Sequence, residues 1–441
     1  MQRFSRQAWP GSLVILAVIG AVTAGCGLAP AAQPTPTTTP LPAQQPAEVV
    51  LTMGGWRTAT ERINRVLAEF QRKSPHITVR FDPTLSGEYD AVLEAQLEAG
   101  TAPDLFYLRS FSASRPLYEQ GYLEPLADLP ELTDNFDPAR LAPWSAGGMP
   151  YGVPLTATSH GIYYNQDLFE TLGLDVPETW EELLAVAQLV QDAGYIPFAN
   201  GSKDPWTSAE IVFMNLAPNF IGGREGRMEY LAGRRCFNDA RVVSAFQAVQ
   251  DLAPFLPADH ELLGYVDSLQ LFVQGKAAMW MSGSWDIPYF EEAQPGFEWS
   301  VFAVPPPAGQ PAYVTFHPDV GIGLNAASEH KDEARQLLAW MATPEFGWLL
   351  GKELPGFFPM HRDVPSLSDV HANAFLALSE GRGTDIRFAW EKLRDGSPDG
   401  YTLMQDGALA VLRGEQTPRE AADALQAGLA QWFEPASHCG Q

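Results

Sequence analysis

Tryptophan and phenylalanine recur beside charged or polar residues in this 441-residue chain. Trp56 adjoins Arg57, Trp206 follows Lys203-Asp204-Pro205, Trp285 precedes Asp286, Phe316 precedes His317, and Phe357-Phe358 follows Pro355-Gly356. Arg109-Ser110 and His160 add further hydrogen-bonding groups. A sugar offers apolar C–H faces and a rim of hydroxyls, so a site for it combines aromatic plates with charged or amide hydrogen-bonders. The candidate binding set is therefore Trp56, Arg57, Arg109, Ser110, His160, Trp206, Trp285, Asp286, Phe316, His317 and Phe357. Trp56 and Trp285 stand foremost because both are expected just after strands, where ligands of α/β sheets sit. Trp144, Trp180, Trp299, Trp340, Trp348 and Trp390 lack that placement and read as structural, and Trp280 reads as core. The two histidines serve equally well in satisfied structural roles.

Catalytic chemistry has less support. Glycoside hydrolysis needs two carboxylates about 5–9 Å apart, one with a raised pKa. Among 53 acidic residues no local motif selects such a pair, so an exported glycoside hydrolase is the rival reading and no catalytic residue is assigned. There is no Gly-x-Ser-x-Gly elbow, no His-Glu-x-x-His helix and no P-loop. Gly321-Ile322-Gly323-Leu324-Asn325-Ala326 fits Gly-x-Gly-x-x-Ala. A dinucleotide site requires the helix to begin inside the glycine loop, whereas here Ser328 is the expected N-cap after a strand continuing through Leu324. No Cys/His cluster has metal-ligand spacing, so neither metal nor cofactor is expected.

Charge narrows the partners. With 28 basic against 53 acidic residues, the net charge of −25 repels phosphate backbones and sets nucleic acid aside. The candidate loops carry both signs, Arg57, Arg109 and Lys203 against Asp204 and Asp286, which favours a neutral sugar over a polyamine or a phosphosugar.

Alternating elements are expected to position these residues. Val49 to Met53 reads as a strand followed by a Gly54-Gly55 turn. Ile63, Val66, Leu67 and Phe70 form one helical stripe, and Ile77, Val79 and Phe81 alternate as a half-buried strand. Tyr89 to Ala99 reads as a helix ending at Gly100, and Asp104 to Leu108 as the next strand. This order implies a mostly parallel sheet with helices on its faces. Thr179 with Glu182, and Thr417 with Glu420, form capping boxes, and Thr343-Pro344 begins another helix.

The N-terminus sets the address. Arg3 and Arg6 precede the apolar run Leu13 to Val22, which ends in small residues, so residues 1–25 read as an export signal. Thr23-Ala24-Gly25-Cys26 resembles a bacterial lipobox, which implies that Cys26 is acylated and anchors the chain to the outer face of the cell membrane. The proline- and threonine-rich residues 27–47 hold no aromatic group to bury, so 26–47 reads as a lipidated cysteine followed by a disordered tether. Cys236 and Cys439 remain, able to pair in an oxidising compartment, although the sequence alone does not bring them together.

Four ordered blocks carry a resemblance. They are Gly148 to Pro154 with Gly161 to Phe169 and Gly173 to Leu183; Phe272 to Met279 with Gly283-Ser284-Trp285; Gly321 to Asn325 before the Glu329 to Ala342 helix; and Leu409 to Ala427. Together they resemble the extracellular solute-binding proteins of ABC importers, in the sugar-binding family to which maltose-binding protein belongs. The resemblance implies an α/β, two-lobe periplasmic-binding-protein type II fold with a hinge crossed three times. Lobe one would be 48–154 plus 319–354, and lobe two 155–318 plus 355–441. It further implies a monomeric binding protein, not an enzyme, that hands a carbohydrate to permease transmembrane subunits, or alternatively feeds a sensor.

Overall fold

The structure, a computed structural model, describes residues 48–56 and 59–440. The expected export signal (1–25), the lipidation site Cys26, the tether through residue 47 and the candidate Arg57 lie outside the described residues.

The first strand, Val49–Trp56, is the spine of the N-terminal sheet. It pairs in parallel with Ile77–Thr84 from Val49↔Ile77 to Trp56↔Thr84, and with Leu105–Arg109 through Met53↔Leu105. The helix Thr60–Lys73 buries Ile63, Val66, Leu67 and Phe70, the stripe that its three- and four-residue spacing selects. The helix Tyr89–Ala99 stops at Gly100, whose φ of 66° ends it in a left-handed cap. One expectation fails here. Gly54-Gly55 is not a turn; the strand runs straight through it to Trp56. A Cβ on Gly55 would lie 2.5 Å from the Tyr107 ring and 2.9 Å from Phe81, so this glycine allows side chains to close over the strand.

Two long strands, Val153–Asn165 and Tyr313–Leu324, join the N-terminal sheet to the rest. Tyr313–Leu324 pairs antiparallel with Leu105–Arg109 from Val320 to Leu324, and with Val153–Asn165 from Phe316↔Ser159 to Ile322↔Val153. The far half of Val153–Asn165 pairs with Ala277–Gly283, which carries Ile196–Phe198 on its other edge. The register between the two long strands slips at Pro318/Val320, leaving Asp319 as a bulged residue.

Among the described residues, apolar side chains gather into two large cores and a smaller cluster. One core draws on residues 51–157 and 320–360. The other draws on residues 162–304 and 388–436. The smaller cluster surrounds Tyr163, Trp280 and Phe290. The chain passes between cores along the two long strands and again near Phe358, which pairs with Ala157.

Both capping boxes form, at Thr179 with Glu182 and at Thr417 with Glu420. Ser328 is not the N-cap of its helix. Its hydroxyl donates to Asp104 at 2.6 Å and accepts from the His330 amide, delaying the helix to Lys331–Met341. That helix starts well beyond the Gly321 and Gly323 positions, which lie within the strand. Trp144, Trp180, Trp280, Trp299, Trp340 and Trp390 are buried, whereas Trp348 is exposed. Cys236 and Cys439 are joined in a disulfide, their Cα atoms 5.0 Å apart across 203 positions of sequence.

Candidate functional site

Strand ends deliver the first groups. Trp56 closes Val49–Trp56 and packs edge-on against Tyr89 at 5.4 Å and Tyr107 at 5.2 Å between ring centres. Arg109 closes the neighbouring strand, and its guanidinium lies 4.8 Å over the Trp56 ring. Both Asp90 carboxylate oxygens accept from Arg109 Nε at 2.9 Å, and the Ser86 carbonyl accepts from Nη2 at 3.1 Å. Burial works against the Arg109 charge, but Asp90 and Glu210 outweigh it and hold the guanidinium above its ordinary range.

A tight turn supplies the next groups. After the strand Ala277–Gly283, a 3₁₀ turn of Ser284–Asp286 folds the Trp285 ring back over its own chain. A Cβ on Gly283 would lie 2.0 Å from that ring, so only glycine permits this fold. Trp285 Nε1 donates to Tyr265 Oη at 2.9 Å, the Tyr265 hydroxyl donates to Asp286, and Trp280 Nε1 donates to the other Asp286 oxygen at 2.8 Å. Burial pushes the Asp286 carboxyl up to about 6, with the Tyr265 and Trp280 hydrogen bonds pulling the other way. Trp206 packs against Tyr265 at 5.0 Å and immediately precedes a π-helix, Thr207–Phe213. That unusual turn carries Glu210, which accepts from Tyr401 Oη at 2.9 Å and pairs with Arg387 at 3.0 Å. Arg387, 3% exposed, lies over Trp285 at 5.7 Å and Trp390 at 5.2 Å, and its Nε has no hydrogen-bond partner among the described residues.

These groups bound a cleft of about 320 Å³, lined by Trp56 and Phe357 of one core, by Trp206 packed on the other, and by the charged Arg109, Glu210 and Arg387. The volume lies at the lower end of small-molecule sites. Asp319, the bulged residue of the long strand, also lines it. Burial raises the Asp319 pKa, while Arg387 and Arg109 pull it down.

Of the residues singled out from sequence, Trp56, Arg109, Trp206, Trp285, Asp286 and Phe357 line this cleft. Ser110 does not. It is buried, and its hydroxyl donates to the Pro318 carbonyl at 2.8 Å, tying two strands together. Phe316 packs on Phe358 at 5.8 Å, outside the cleft. His160 and His317 lie beneath it, fully buried, with their Nε2 atoms 3.2 Å apart. The Pro318 carbonyl can only accept, so His317 Nδ1 carries the proton and its Nε2 is the acceptor, with the Thr158 hydroxyl and His160 Nε2 each 3.2 Å away as donors. Burial, reinforced by Arg387, holds both imidazoles well below their ordinary pKa. They support the floor of the cleft, His160 meeting the edge of Trp285 at 5.0 Å.

Sequence reasoning missed Tyr265, Glu210, Asp319 and Arg387. Each lies in a segment without a recognisable binding pattern. The only local signal was the acidic-aromatic composition around Tyr265 and the extended stretch at Asp319.

Residues 56–347 match the model of the bacterial extracellular solute-binding protein family. An uncharacterised ABC transporter extracellular-binding protein of Pyrococcus horikoshii is 25% identical over 368 residues, covering 80% of each chain. A multiple sugar-binding protein of Streptococcus mutans is 25% identical over 295 residues, covering 64% of this chain and 68% of that one. A sugar transporter structure from Bacillus licheniformis, in complex with stachyose, superposes with a TM-score of 0.70 at 18% identity, over 88% of this chain and 100% of that one. The fold is thereby that of the type II periplasmic sugar-binding proteins, mixed α/β about a curled central sheet.

Proposed function

Because this chain belongs to the bacterial extracellular solute-binding protein family, we propose that it is the lipid-anchored capture component of an ABC importer, holding a neutral sugar or oligosaccharide in its cleft. The observation that carries this reading is the lining itself: three tryptophans, Trp56, Trp206 and Trp285, interleaved with Arg109, Asp319 and Arg387. Flat apolar plates suit the C–H faces of a pyranose, and fixed charged groups suit its hydroxyls. The names of relatives support it, one being a multiple sugar-binding protein and one structural neighbour holding stachyose.

The proposed mechanism is closure. Residues 48–154 with 319–354 act as one lobe and 155–318 with 355–441 as the other, and ligand bridging them stabilises the closed state by contacts that the open state lacks. Only the closed surface then docks productively on the permease. Cys26 carries the anchor, and no bond is made or broken by this chain.

The test is a thermal-shift screen against mono- and oligosaccharides, since a ligand that binds only the folded state raises its apparent stability by mass action. A protein that no sugar stabilises is not a sugar receptor. Turnover of any oligosaccharide would move the protein to the hydrolase reading, and a scattering radius unchanged at saturation would argue against closure.

A further inference from the structure

Resting on the carbohydrate reading above, we propose that Asp319 is the specificity-determining residue of the cleft, accepting hydrogen bonds from adjacent hydroxyls of an uncharged sugar and turning away its anionic counterparts.

A charge inventory leads to this residue. Arg109 is matched by Asp90, Arg387 by Glu210, and Glu292 at the rim by Arg62. Asp286 is held by Tyr265 and Trp280. Among the described residues that line the cleft, Asp319 is the one carboxylate with neither a hydrogen bond nor an ion pair within the protein. Burial raises its pKa, and Arg387 and Arg109 oppose that from nearby without donating a hydrogen bond to its oxygens.

A partly buried carboxylate without donors is costly unless water or a ligand supplies them. An ionised carboxylate only accepts, and its two oxygens suit a pair of neighbouring hydroxyl donors. Backbone geometry points the same way. The register slip between Pro318 and Val320 releases this residue from the ladder, and bulges of this kind re-aim side chains beside functional sites. The described lining sets four carboxylates, Glu210, Asp286, Glu292 and Asp319, against two guanidiniums, Arg109 and Arg387, so it bears a surplus negative charge to which Asp319 contributes. A uronate or sugar phosphate would meet that charge in a medium where repulsion is poorly screened. The residue also belongs to a strand that crosses between the cores, so a ligand held there grips the hinge directly.

The experiment uses the whole chain. Glucose, galactose, maltose, xylobiose, raffinose and stachyose are screened by thermal shift, together with glucuronate and galacturonate, and the best neutral probe is taken to calorimetry on wild type, Asp319→Asn and Asp319→Ala. Both variants should bind the probe about ten- to a hundredfold more weakly, the range expected for hydrogen bonds to a charged group. Their ligand-free melting temperatures should hold or rise, because an unmatched charge has been removed. Wild type should reject the uronates, and Asp319→Asn should narrow that discrimination. A carboxylate with only a structural role would lose stability and keep affinity. If the wild type binds a neutral sugar and Asp319→Asn binds it within twofold, the assignment to Asp319 fails while the carbohydrate reading stands. If no neutral sugar binds, or a uronate binds best, both fail.

Discussion

Replacing Asp286 by Asn tests how the tryptophan platform is built. In the native protein, Trp285 donates to Tyr265, Tyr265 donates to Asp286, and Trp280 donates to the remaining carboxylate oxygen. Trp280 can only donate, so an Asn at this position must turn its oxygen to Trp280 and its amide to Tyr265. Tyr265 Oη then accepts from both Trp285 Nε1 and that amide while its own proton loses its acceptor, a cost of about 1–3 kcal/mol that does not vary with pH. What disappears is the titration. The Asp286 carboxyl is pushed from 3.8 to about 6, so between those values the fold holds a proton that the unfolded chain has released. Its contribution to stability is therefore neutral in acid and becomes unfavourable as pH climbs through that window. About two pKa units correspond to about 3 kcal/mol. Relative to wild type, Asp286→Asn should thus gain about 3 kcal/mol between pH 3.5 and pH 7. Urea unfolding of both ligand-free proteins across that range measures the difference directly. A difference constant with pH would refute the reasoning, because it would mean that the carboxyl titrates alike in the folded and unfolded chains.

Trp285→Ala should weaken binding of the best neutral sugar by about 1–3 kcal/mol, the loss expected for a desolvated aromatic contact, and unchanged calorimetric affinity would remove Trp285 from the site. Arg62 pairs with Glu291 at 2.8 Å and Glu292 at 3.0 Å on the helix Ile287–Ala293 and also reaches the Glu353 carbonyl. Arg62→Ala should cost about 1 kcal/mol and enlarge the ligand-free radius of gyration in solution scattering, whereas an unaltered radius would show that this clasp does not restrain opening. Replacing Cys236 and Cys439 together by Ser should lower unfolding free energy by about 2–5 kcal/mol, an effect that reducing agent on the wild type should reproduce.

The elements were legible in the sequence wherever periodicity was strong. The stripe Ile63, Val66, Leu67 and Phe70 and the two capping boxes are local patterns, and local physics suffices to read them. Gly54-Gly55 misled because a glycine pair signals a turn or a close approach with the same two letters, and only the positions of Tyr107 and Phe81 distinguish them. Ser328 misled because its hydroxyl serves Asp104, more than 200 positions away. The site divides likewise. Tryptophans at strand ends could be found from sequence, but Arg387 and Glu210 matter because they meet each other over Trp285, and Asp319 because the strand slips beside it. Those are properties of pairing between distant segments.

The composition of the two cores bears on how such a chain is made. The core that begins at Leu51 lacks its strand Tyr313–Leu324 and the helices Lys331–Met341 and Pro344–Glu353 until more than 250 further residues have been added. The other core likewise waits for residues 388–436. Contacts of such long range close slowly, since loop entropy must be overcome before any of them is rewarded. An emerging polypeptide of this design can complete neither core until late in its synthesis.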